Sequence, residues 1–160
     1  MDQMTPREFL TIVVQPNVND FHETYNDVRR AFNAISAVDA LAAHLYIWAR
    51  GRGLAVVAAV PDDSAYRQAL ASRSQPFRLL RDIAKAQKHV HLTRGSPTIS
   101  SASQISARFI GFGEGRFGQG RFGGVKQVVV DITSDEFAYV EEVVDSSLLF
   151  LETEMVQLGA

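Results

Sequence analysis

From Phe21 onward the apolar residues of this chain step by four and three, at Phe21, Tyr25, Val28, Phe32, Ile35, Ala42, Tyr46 and Ala49, with Asp39 in the one slot that breaks the series. Such steps place the side chains on one face of an α-helix. A second seam, Ala34, Val38, Leu41, Leu45 and Trp48, runs beside the first, so after Phe32 the helix is apolar nearly all round. A helix of that kind is buried by other helices. The spacing predicts one continuous helix as far as Arg50, capped by Asn17 or Asn19 and on the order of 50 Å long. It is the expected centre of a helical bundle.

The flanking segments supply the rest. Thr5-Pro6-Arg7-Glu8 is a capping box with proline at the first helical position, which predicts a short helix to about Val14, and Pro16 should break it. Gly51-Arg52-Gly53 ends the long helix, and Leu54 to Val60 is a short strand or a packed connector. Pro61-Asp62-Asp63-Ser64 caps a brief helix to about Ser72, and Pro76 opens another from Phe77 to about His91, whose apolar face is Phe77, Leu80, Ile83, Ala84 and Val90. Gly95-Ser96-Pro97 stops that helix, and Ser96 to Ser106 reads as a loop. Arg108–Phe112 and Val125–Ile132 read as two strands joined across a glycine tract. Thr133-Ser134-Asp135-Glu136 reads as a second capping box opening the last helix, with Phe137, Val140, Val144, Leu148, Leu151 and Met155 on its buried stripe. The expected architecture is mainly α: a four- to five-helix bundle over residues 1–160 as one domain, with a glycine-rich β-hairpin inserted at about 106–132 before the last helix.

Charge is distributed unevenly. The net charge is −2, yet residues 73–126 carry ten basic against two acidic side chains, and residues 127–160 carry eight acidic and no basic ones. Two such blocks either neutralise each other, within a chain or across a dimer, or present the basic one to an external polyanion. Mutual neutralisation is the expectation, with the last helix lying beside the helix from Phe77. Cysteine is absent, which excludes disulfides, thiolate metal sites and a cysteine nucleophile and fits a reducing, cytoplasmic setting. No apolar run approaches membrane-spanning length, and no membrane partner is expected. No metal and no cofactor are expected either, since no His-x-x-x-His or Glu-x-x-His pair occurs.

Three features carry possible chemistry. The five-residue repeat Glu114-Gly-Arg-Phe-Gly and Gln119-Gly-Arg-Phe-Gly satisfies GxGxxG twice, but a strand rather than a helix N-terminus follows, so the dinucleotide reading fails. Arg116 and Arg121 remain candidate phosphate contacts, with Phe117 and Phe122 available to stack on bases or to pack. On the basic helix from Phe77 to His91, Arg78, Asp82, Lys85 and His89 share one stripe, which suggests His89 as acid or base, Asp82 as an ion-pair hub, and Arg81, Lys85 and Lys88 as phosphate contacts. Asp39, a carboxylate in an apolar seam, needs a buried partner, and the expected ones are Arg78, Arg81, Lys85 or His89.

Arg81-Asp82-Ile83-Ala84-Lys85-Ala86-Gln87-Lys88-His89-Val90 resembles a helix of bacterial helical-bundle proteins in which an Asp is followed two turns later by Lys-His. More remotely it is similar to the HEPN superfamily of helical bundles, several of which are RNases whose signature is Arg, four to six residues, then His; here seven residues separate Arg81 from His89. The resemblance implies a bundle, and, for activity, RNA as the substrate with Asp39, Asp82 and His89 at the catalytic centre. The residues themselves favour a binding or interaction module that dimerises through exposed apolar helix surface or the hairpin; an RNA-directed nuclease or a protein that binds RNA or single-stranded nucleic acid is the alternative.

Overall fold

The computed structural model describes residues 4–89, 91–110 and 126–160. The protein is mainly helical, with a small antiparallel sheet before its last helix. In chain order the elements are α1 (Pro6–Phe9), a π turn (Leu10–Val14), α2 (Gln15–Glu23), α3 (Val28–Gly51), α4 (Ala55–Ala58), α5 (Asp63–Arg73), α6 (Gln75–His89), a 3₁₀ turn (Ala102–Gln104), β1 (Ile105–Phe109), β2 (Lys126–Asp131), β3 (Phe137–Tyr139) and α7 (Val140–Leu158).

Thr5 and Glu8 form the expected capping box. Pro16, however, does not end the first helix. The preceding turn widens to π geometry, with the Gln15 N–H donating to the Leu10 carbonyl, and α2 continues through Pro16. Widening offers proline, which has no N–H and crowds the turn before it, a way to stay inside the helical segment. The long helix is likewise shorter than its periodicity predicts. It breaks at residues 24–27, where the Asp27 side chain accepts the Arg30 N–H at 3.1 Å and caps a new helix. Arg30 also reaches back to the Asp20 carbonyl and the Thr24 hydroxyl, fixing the corner. The resulting α3 has 24 residues, about 36 Å.

α3 is the centre of the bundle, in contact with α2, α5, α6 and α7, and α7 packs against α6 and α3. Ala34, Ile35, Val38, Leu41, Ala42, Leu45 and Ala49 of α3 are fully buried in the same core as Phe77, Leu80 and Ile83 of α6 and Val144 and Leu151 of α7. The connector Leu54–Val60 contains the single helical turn α4, with Val57 buried.

The sheet has the order β1-β2-β3, all antiparallel, with Ile105 opposite Val130 and Val129 opposite Tyr139. β1 starts earlier than its sequence suggests, inside the serine-rich stretch, because Ser101 and Gln104 close a capping box that delivers Ile105 to the core. Residues 133–136 do not open a helix. Ile132 and Thr133 donate to the Glu136 carbonyl, a tight turn follows, and Phe137–Tyr139 pairs with β2 before α7 begins at Val140. Val128 and Val130 face the main core, whereas Val129 packs with Ile110, Tyr139 and Phe137 on the other side. The repeat between Gly111 and Val125, with Arg116 and Arg121, lies outside the described residues. Among the described residues no helix is long and apolar enough to cross a membrane.

Candidate functional site

The helical repeat of α6 puts Arg78, Arg81, Asp82 and Lys85 on one face, where they form one wall of a cleft of about 290 Å³. Gln68 and Ala71 of α5 form a second wall, and Leu92, Arg94, Gly95, Ser96 and Pro97 the third. The third wall is a turn that needs glycine: Gly95 has φ +75°, in the left-handed region.

Two contacts hold that turn. The Asp82 carboxylate accepts the Thr98 N–H at 2.7 Å, and Arg78 donates to the Ser96 carbonyl at 3.1 Å. Asp82 is therefore a loop anchor; the ion-pair hub expected from its position between cations does not form among the described residues. Arg81 is 4% exposed. Its two terminal nitrogens donate to Gln68 (2.9 Å) and to the carbonyl and hydroxyl of Ser64 (3.0 and 3.2 Å), tying α6 to α5. Its Nε is buried with no partner among the described residues. Burial and the neighbouring Arg67 lower its pKa, opposed by Asp39, Asp82 and Asp63.

Lys85 is partly buried and makes no ion pair or hydrogen bond among the described residues. Its pKa is lowered from the ordinary lysine value, first by desolvation and then by the Arg81 charge. Exposed Arg94 also pairs with no carboxylate among the described residues. The cleft thus gathers four cations around one carboxylate that is already engaged.

Asp39 is buried as expected, but its partner is on α5 rather than α6. Its Oδ2 accepts from Arg67 at 2.7 Å while its Oδ1 has no partner among the described residues. Arg67 also pairs with Asp63 at 2.6 Å one turn back in α5. Nothing in the sequence says which helix packs over Asp39, although the Asp63/Arg67 spacing of four marks a helical ion pair. Lys88 and His89 are exposed at the end of α6 and do not line the cleft. Of the candidates named from sequence, the structure brings Arg81, Asp82 and Lys85 together, with Asp39 behind them. Ser96, read only as part of a helix stop, and Arg94, counted only in the basic block, complete the cleft. On α3, away from this cleft, the His44 ring stacks on Phe9 with centroids 3.9 Å apart.

The two charge blocks neutralise each other only in part. α6 and α7 are neighbours, but they meet through apolar side chains such as Phe77 and Phe150. Among the described residues, ion pairs between the blocks are Arg73 with Glu154 and Arg108 with Asp131. The cleft cations take no part in either. No group of three or more His, Asp or Glu side chains among the described residues is placed to hold a metal ion. In comparisons with known proteins, the chain matches no family model, no curated protein and no solved structure. Fold and cleft define a helical bundle with an electropositive pocket, and the functional reading rests on that geometry.

Proposed function

We propose that this protein is a binding module whose cleft between α5, α6 and residues 92–97 receives the phosphate group of an anionic ligand. The observation that carries this reading is Lys85, drawn partly out of water among Arg78, Arg81 and Arg94 and within ion-pair distance of no carboxylate among the described residues. Like charges converging in a partly desolvated pocket raise the local positive potential, and an incoming anion relieves it. Arginine and lysine together suit phosphate oxygens, the first through its planar fork and the second as a point charge. Isothermal titration of the full chain with inorganic pyrophosphate at fixed ionic strength is expected to saturate, and Lys85→Gln to weaken binding by about tenfold or more. Titration of the wild-type chain that does not saturate would overturn the reading. RNA cleavage by the wild-type chain that His89→Ala abolishes would replace it with a HEPN-type nuclease.

Self-association is a second reading, supported by Leu149 and Val156, which are 67% and 74% exposed two turns apart on α7. Mass by light scattering is expected to fall from dimer to monomer in the double variant Leu149→Glu, Val156→Glu. A wild-type chain that is already monomeric would remove the idea.

A further inference from the structure

Resting on the anion-binding reading, we propose that the group the cleft takes is the terminal phosphate of a small phosphomonoester, in preference to an internal phosphodiester of a nucleic acid. Charge is the first argument. Arg78, Arg81, Lys85 and Arg94 surround Asp82, and with Arg67, Asp39 and Asp63 behind them the excess is two positive charges. An internal phosphodiester carries one negative charge, whereas a terminal phosphate carries about 1.5 to 2 near neutral pH and offers three acceptor oxygens. The terminal group matches the excess better and has an oxygen each for Lys85, Arg94 and the inner wall.

Shape is the second argument. Arg81 is almost wholly buried, its Nε has no partner among the described residues, and it belongs to the lining of the cleft. A phosphate that approaches it must enter end-on. A diester has chain on both sides and needs a groove open at both ends, but here α5, α6 and the Gly95 turn bound three sides. The volume of about 290 Å³ is at the small end of ligand pockets, which run from roughly 300 to 1,000 Å³.

The lining itself is the third. None of the described lining residues is aromatic. Proteins that hold single-stranded nucleic acid without sequence preference combine a basic groove with rings on which bases stack. Ala71, Leu92 and Pro97 instead offer a small apolar flank to whatever the phosphate is attached to.

The test is isothermal titration of the full chain, at fixed ionic strength, with inorganic pyrophosphate, a thymidine dinucleotide, and the same dinucleotide carrying a 5′-phosphate. The 5′-phosphate is expected to tighten binding at least about tenfold, and Lys85→Gln to erase that difference. Arg94→Gln, at an exposed side chain that holds no other element, is expected to reduce it and guards against a Lys85 variant that folds poorly. Equal affinity for the two dinucleotides, with pyrophosphate bound, overturns the preference for a monoester and leaves the anion site standing. Affinity for unphosphorylated oligonucleotides that climbs with their length overturns it in favour of a polymer. Failure to bind any of the three, pyrophosphate included, overturns the anion site as well.

Discussion

Arg67 and Asp39 depend on each other unequally. Asp39 is buried and Arg67 is its sole hydrogen-bond partner among the described residues, whereas Arg67 is partly exposed and keeps Asp63 if Asp39 is lost. Removing the arginine strands a buried carboxylate, a change that typically costs about 3–5 kcal/mol. Arg67→Met is therefore expected to destabilise by that amount in urea unfolding, and Asp39→Asn by distinctly less; equal losses would show that the pair, rather than the stranded charge, sets the energy. Tyr66 poses a different case. Its hydroxyl is buried without a hydrogen-bond partner among the described residues, and burial, reinforced by Glu154, raises its pKa from 10.0 to about 12. Between those values the folded chain holds a proton the unfolded chain has released, so the stability present below pH 10 declines as pH rises towards 12. Tyr66→Phe is expected to change stability at pH 7 by no more than about 1 kcal/mol, since no bond is lost, and to flatten the alkaline decline. An unchanged alkaline slope in the variant would assign that decline to other groups. The need of Asp39 for a partner was legible in the sequence; the identity of the partner was not, because it depends on how α5 lies over α3.

At the scale of elements, α6 joins the core to the cleft. Phe77 is fully buried and its ring is 6.1 Å from that of Phe150 on α7, with the Arg73 guanidinium 5.6 Å from the same ring. Phe77→Ala is expected to destabilise by about 3–5 kcal/mol, measured by thermal or urea unfolding; a loss below about 1 kcal/mol would mean that α7 collapses onto the gap. α5 and α6 were readable to within a few residues because their starts, Asp62 and Gln75-Pro76, and their apolar periodicity agree. The break before Val28 was not, since Phe21, Tyr25 and Val28 keep helical spacing across a corner made by the Asp27 side chain. Residues 133–136 carry a capping-box pattern, yet the alternation Phe137-Ala138-Tyr139 pairs with β2 and takes precedence. Local pattern states what a segment prefers, and the neighbouring strand decides between preferences of similar strength. The cleft was half legible: the stripe on α6 announces cations on one face, but that Arg94 and Ser96 return to meet it follows from the Gly95 turn and the Asp82–Thr98 bond.

For the molecule as a whole, a net charge of −2 conceals a pocket that remains positive. Lys85 is the one cleft cation able to titrate within an accessible range, because the three arginines stay charged. The charged groups acting on it come from α3, α5 and α6: Arg81 and Arg67 lower its pKa, and Asp82 and Asp39 raise it. Pyrophosphate affinity is therefore expected to fall as pH rises through a value below the ordinary 10.5 of lysine, and Lys85→Arg to hold affinity through that range. Parallel decline in both proteins would place the titrating group elsewhere. The π turn at Leu10–Val14 has a consequence for the length of the chain. It holds about one residue more than the α turn it interrupts, so α1 and α2 are already separated by a one-residue surplus. A single deletion inside an ordinary helix swings everything beyond it round by about 100° and pulls buried positions off the core. Deletion of Ile12, which is 61% exposed, would instead close the surplus and leave Val18 and Phe21 facing inward, provided Pro16→Ala removes the ring that regular geometry cannot accommodate. The doubly altered chain is expected to fold, and the deletion alone to lose about 3 kcal/mol relative to it, which makes this turn a place where the polypeptide can change its length without changing its shape.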